Sequence, residues 1–151
     1  MKPLAVRLPI THFPPNYTCD GTDISPAIEI RDLEHGTRSL ALILLDPDAP
    51  GGNFVHWLCW NMEVVTTVPE NIPKEPETTF PVAARQGTND FDRIGYGGPC
   101  PPHGHEHRYD FKVYALDTLL DLAPGARLPD LNAAMQGHVL QYGDAQAVYG
   151  R

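Results

Sequence analysis

The chain has 151 residues, 42% of them hydrophobic, which is enough for one domain with a real core and too apolar for a disordered segment. Its formal charge of -8, with 11 Lys and Arg against 19 acids, excludes the basic stripe that a nucleic-acid partner requires. The one basic-flanked apolar run, Leu4 to Ile10, is broken by Arg7 and Pro9 and is too short for a signal-peptide core or a membrane span, so no stable membrane insertion and a cytoplasmic address are expected.

The 16 prolines and 13 glycines are scattered without a period, which points to short elements joined by tight turns, as in all-β proteins. Residues 39–45 form an unbroken apolar run ended by Asp46-Pro47, the pattern of a central strand covered on both faces. Residues 54–62, Phe-Val-His-Trp-Leu-Cys-Trp-Asn-Met, are rich in aromatic and β-branched residues and predict a second strand. The stretch 66–81 carries Pro69, Pro73, Pro76 and Pro81 and reads as a surface excursion. A long loop follows over 86–106, with Gly87, Gly95, Gly97, Gly98 and Gly104 interleaved with Pro99, Pro101 and Pro102. Residues 107–116 alternate: His107, Tyr109, Phe111, Val113 and Ala115 share one face of a strand whose other face is wet.

Only the C-terminal part reads as helical. Pro129-Asp130 offers a start, and Leu131, Ala134, Met135 and His138-Val139 fall at helical spacing, with Gly137 weakening the helix by about 1 kcal/mol. The prediction is a single mainly β domain over residues 1–151 with a helical tail. Cys19, Cys59 and Cys100 are an odd, widely spaced set, for which reduced thiols are expected; a Cys19–Cys100 bridge is left open.

Three segments place polar residues beside the apolar strands. In Asp46-Pro47-Asp48-Ala49-Pro50 the two aspartates would project the same way from an extended strand end. His56-Trp57 sets an imidazole inside an apolar strand. Gly97-Gly98-Pro99-Cys100-Pro101-Pro102 then leads into His107-Arg108-Tyr109: the glycine N–H groups can cradle an anion, the prolines stiffen the loop, and His107 and Tyr109 stand above an apolar floor.

These segments, together with Val55-His56-Trp57, Tyr17-Thr18-Cys19-Asp20-Gly21, Tyr114-Ala115-Leu116-Asp117 and the ending Tyr149-Gly150-Arg151, resemble the motifs of the phosphatidylethanolamine-binding (Raf kinase inhibitor-like) family, in its bacterial and archaeal branch. The resemblance implies a Greek-key β-sandwich with a short C-terminal helical segment and an anion pocket at one end. It implies ligand-binding roles for Asp46, Asp48, His56, Gly98, Pro99, Pro101, His107 and Tyr109, and a cis bond before Pro50. A histidine beside a carboxylate is favoured in its charged form, so His56 and His107 could donate to phosphate, sulfate or carboxylate, while the aspartates hold the imidazoles or meet an ammonium group. Phosphoethanolamine suits such a site, and so do small inorganic anions. The chain ends soon after Tyr149, which leaves acyl chains of a phospholipid with less cover than in animal members.

The expected function is therefore a non-catalytic binding module for a small anionic or phosphorylated ligand, with no cofactor. A protease or kinase partner, met through a surface loop such as 66–81, is the alternative that some family members suggest, and a homodimer is left open. A metal-dependent hydrolase is the enzymatic rival, because His103, His105 and His107 alternate and Asp46, Asp48 and Cys100 could join them. A cysteine nucleophile, Cys100 or Cys59, is a weaker rival, since no nucleophile elbow accompanies either.

Overall fold

The computed structural model describes residues 2–151. Its strands are β1 (Ala5–Arg7), β2 (Ile28–Arg31), β3 (Ser39–Asp46), β4 (Phe54–Met62), β5 (Thr67–Val68), β6 (Glu77–Thr78), β7 (Ala84–Gln86), β8 (Glu106–Leu116) and β9 (Val139–Gly150), with one α-helix, α1 (Leu128–Met135). They form two antiparallel sheets, ordered β1-β2-β5 and β6-β7-β4-β3-β8-β9. The chain leaves β4 for β7 on its outer side and returns in β8 on the far side of β3, a return of the Greek-key kind.

Strand β3 explains the layering. All eight of its residues are buried, as its unbroken apolar run predicts. Leu40, Leu42 and Leu44 point into the main core with Trp57, Phe111 and Val113, shared with Ile28 and Ile30 of the small sheet. Ala41, Ile43 and Leu45 point the other way, into a second core where Leu58 and Trp60 meet Leu131 and Met135 of α1. The alternation predicted for 107–116 holds as well: His107, Tyr109, Phe111, Val113 and Ala115 are buried and Arg108 is exposed.

The C-terminal reading needs correction. The helix stops at Met135, Gly137 takes φ +81°, and His138-Val139 lie beyond it, with Val139 opening the twelve-residue strand β9. Glycine takes positive φ without strain, so Gly137 ends the helix instead of weakening its interior. The inward positions of β9 are Gln141, Gly143 and Ala147, small or polar residues that leave no apolar stripe to detect. Gln141 is fully buried yet satisfied: its amide accepts from Glu34 N–H (2.8 Å) and donates to Asp32 O (2.7 Å) and Lys2 O (3.1 Å).

Two further expectations change. Cys19 and Cys100 form a disulfide, while Cys59 is free and buried. The cis bond implied before Pro50 is absent; the cis bond among the described residues is Phe80–Pro81. Among the described residues no helix is long and apolar enough to cross a membrane.

Candidate functional site

At one end of the large sheet a cavity of about 250 Å³ opens between the ends of β3, β4 and β8 and the 86–106 loop. Its floor is polar: Asp46, His56, His107 and Tyr109, all buried. Its walls are apolar: Phe54 and Phe91 on one side, Ala49, Pro50 and the Cys100–Pro102 rim on the other.

The polar floor is tightly held. Asp46 is the last residue of β3, where the covered strand turns toward the surface. Its Oδ1 accepts Asp48 N–H (2.8 Å), an Asx-type turn, and its Oδ2 accepts His107 Nδ1–H (2.7 Å). A nitrogen that faces a carboxylate must carry the proton, so the Nε2 of His107 is left for the cavity. His56 is pinned to the loop in two places. Its Nδ1–H donates to Gly97 O (2.6 Å), and its carbonyl accepts Gly97 N–H (3.0 Å). Its ring packs among Phe54, Phe91 and Tyr109, with centroids 4.9, 5.4 and 5.3 Å away.

Burial pushes the His56 pKa down, and the Gly97 carbonyl and the Asp46 charge only partly offset it. His56 is therefore biased toward the neutral imidazole, against the cation expected of a histidine near a carboxylate. Its Nδ1 proton is committed to Gly97 O, so Nε2 carries a lone pair. Tyr109 is pushed the opposite way: burial first, then the charges of Asp46 and Asp48, hold its hydroxyl protonated. That hydroxyl is buried and has no hydrogen-bond partner among the described residues.

Of the expected site residues, Asp46, His56, Pro101, His107 and Tyr109 come together around the cavity. Asp48, Gly98 and Pro99 do not line it. The segment after Asp46 is a turn and not an extended strand, so the two aspartates diverge. Asp48 faces outward and accepts Arg108 Nε (3.0 Å), a second guanidinium N–H (2.8 Å) and Arg108 backbone N–H (2.8 Å). That fork holds its carboxyl well below the usual range.

Gly98 serves packing, not cradling. Its N–H donates to Asp23 Oδ1 (2.8 Å), and a Cβ there would lie 2.2 Å from Tyr17 O. With Gly97 N–H given to His56, neither glycine N–H is left for an anion. The Pro99 carbonyl accepts Cys19 N–H (3.1 Å) beside the disulfide, so the rim is stapled twice to the 17–23 turn. Arg151 adds a third tie: it donates to Pro101 O (2.8 Å) and to Asp20 (2.7 Å), which also accepts from the Tyr149 hydroxyl.

Sequence reasoning missed Phe54 and Phe91. Phe54 lies two residues before His56 on the same strand face, a signal that was readable. Phe91 sits in the aperiodic loop, turned inward by Asn89, whose side chain accepts Phe91 N–H (2.9 Å) and donates to Gly95 O (2.9 Å).

Of the residues of the enzymatic rivals, Asp46, His107 and Cys100 meet at the cavity, while the others lie apart from it. His103 and His105 are exposed on the rim, and among the described residues no three His, Cys, Asp or Glu side chains converge as metal ligands. Cys100 is in the disulfide, and burial pushes the Cys59 thiol up within the core.

Residues 7–150 match the family described as phosphatidylethanolamine-binding protein. A UPF0098 protein of Pyrococcus horikoshii is 54% identical over 139 residues, covering 91% of this chain and 70% of its own. Among solved structures, a phosphatidylethanolamine-binding protein homologue of Chlamydia trachomatis superposes with a TM-score of 0.87 at 32% identity, covering 99% of this chain and 98% of that one. Escherichia coli YbcL, described as a member of the mammalian family, superposes with a TM-score of 0.88 at 28% identity over 99% of both chains.

Proposed function

The chain belongs to the phosphatidylethanolamine-binding protein family, and from that premise we propose that its end cavity is a non-catalytic receptor for a small oxyanion, a phosphate or phosphorylated headgroup. The observation that carries this reading is the polar floor inside an apolar wall: His56, His107 and Tyr109 line a cavity of about 250 Å³, and the buried Tyr109 hydroxyl has no partner among the described residues. That size and composition suit a small ligand oriented by a few polar groups. The oxyanion, and not an ammonium, is the recognised part, because Asp46 already serves His107 and the Asp48 backbone while Asp48 serves Arg108. In this reading the ligand is bound and released unchanged; no serine or threonine is among the described residues that line the cavity, and Cys100 is held in the disulfide.

The test is chemical-shift mapping on labelled protein titrated with inorganic phosphate and with phosphoethanolamine. Saturable shifts centred on His56, His107 and Tyr109 support the assignment; shifts confined to another face refute it. A second reading, recognition of a protein target, is favoured by one observation: Phe80, at the end of the Pro-rich excursion, is 81% exposed. A panel of trypsin-, chymotrypsin- and elastase-like proteases assayed with wild type and Phe80→Ser tests it; equal, full protease activity with both removes that reading.

A further inference from the structure

We propose that the cavity selects oxyanions that bring their own proton: a P–O–H of the ligand donates to the Nε2 of His56, so groups that carry such a hydrogen bind and sulfate-type groups do not. This rests on the oxyanion reading above and adds to it the protonation state of the ligand.

The argument begins with the tautomer. His56 Nδ1 lies 2.6 Å from Gly97 O, and two acceptors cannot approach that closely without a proton between them. The hydrogen is on Nδ1, and Nε2 is a lone pair unless the ring takes a second proton. The surroundings oppose that second proton. Phe54 meets the ring at a tilt and Phe91 and Tyr109 meet it in T-shaped geometry, so the imidazole is desolvated. The charged groups that face it are Asp46 from β3 and, behind the loop, Asp23, whose carboxylate accepts Gly98 N–H. Asp90 lies on the flank, accepting Val55 N–H (2.7 Å). Asp48 and Arg108 neutralise each other outside the cavity, and Arg151 is paired with Asp20. Burial outweighs the attraction of Asp46 and Asp23.

From β8, His107 also spends its Nδ1–H, on Asp46, and can offer either a lone pair or a proton from Nε2. Tyr109 supplies a hydroxyl donor. The cavity thus presents one donor, one fixed acceptor and one adjustable group. A fully ionised oxyanion offers acceptors only, and against His56 two lone pairs would meet. A hydrogen phosphate offers both kinds of group. A site shaped to hydrogen-bond a ligand O–H rejects the analogue that lacks it, because the buried acceptor is then left unpaired.

The experiment compares inorganic phosphate with sulfate by calorimetry at neutral pH and matched ionic strength. Phosphate should bind at least about tenfold more tightly. Phosphoethanolamine, whose second proton leaves near about pH 6, should weaken as the pH rises above that value, while inorganic phosphate, which keeps a P–O–H, holds its affinity. Nitrogen shifts of the His56 ring should show a protonated Nδ1 and a bare Nε2 in the free protein. His56→Gln, whose amide can turn an N–H toward the ligand, should bring the two anions within about threefold of each other. If that variant does not fold, the wild-type comparison decides. Equal affinity for phosphate and sulfate overturns this inference and leaves the oxyanion reading standing; no binding of either anion overturns both.

Discussion

Tyr109→Phe should separate the function of the cavity from the stability of the fold. The ring is fully buried, edge-on to Phe13 at 5.5 Å and to His56 at 5.3 Å, and phenylalanine preserves both contacts. What leaves is one hydroxyl with no partner among the described residues. A buried polar group without a partner costs about 1–3 kcal/mol, so its removal should leave the unfolding free energy unchanged or raise it by up to about 1 kcal/mol. Ligand binding should move in the opposite direction. A hydrogen bond to a charged group contributes about 1.5–3 kcal/mol, which is a loss of about tenfold to a hundredfold in phosphate affinity. Urea denaturation and calorimetry on the same preparations measure both quantities. A variant destabilised by more than about 1 kcal/mol with phosphate affinity intact would refute the reasoning, because it would make the hydroxyl structural.

Asp110 gives a pH-dependent prediction: burial, then the neighbouring Asp144, raises its pKa to about 6, above the unfolded value, so its contribution is fully present below about pH 4 and is lost as pH rises through about 6. Asp110→Asn should therefore stabilise the protein at pH 7 by about 1 kcal/mol after allowance for solvent screening and change little at acid pH, as urea midpoints at the two pH values will show. The Cys19–Cys100 bond closes a separation of 81 residues, for which loop-closure entropy gives about 4.5 kcal/mol, so the double serine variant should lose about 2–5 kcal/mol in urea; a loss under about 0.5 would show that the rim ties hold without it. Gly98→Ala would set a Cβ 2.2 Å from Tyr17 O and 2.5 Å from Asp23 Oδ1, and a thermal melt should report a loss of about 1–3 kcal/mol.

The large sheet was legible in the sequence where burial writes a local pattern. An unbroken run marked β3, aromatic and β-branched residues marked β4, and strict alternation marked β8 together with the orientation of His107 and Tyr109. Strand β9 was not legible, because Gln141 and Gly143 are chosen by what approaches them: Lys2 and Asp32 carbonyls at the amide, and Leu4 O where a Gly143 Cβ would stand. The site divides in the same way. Asp46, His56, His107 and Tyr109 follow from strand position. The separation of Asp48 from Asp46 depends on Arg108, 60 residues away, and the loss of the Gly98 N–H depends on Asp23, 75 residues away. The shift of His56 toward its neutral form is hidden for a related reason: a nearby carboxylate is visible in the sequence, but the closing of Phe54 and Phe91 around the imidazole depends on the fold.

The central claim is that the cavity floor binds an oxyanion, and His107 is the residue through which to ask. Calorimetric titration of wild type and His107→Ala with inorganic phosphate and with phosphoethanolamine, beside a urea melt confirming that the variant is folded, is the most direct measurement. Saturable binding to wild type that weakens at least about tenfold in the folded variant is the predicted result. Equal affinity in both proteins, or binding by neither, would contradict the account.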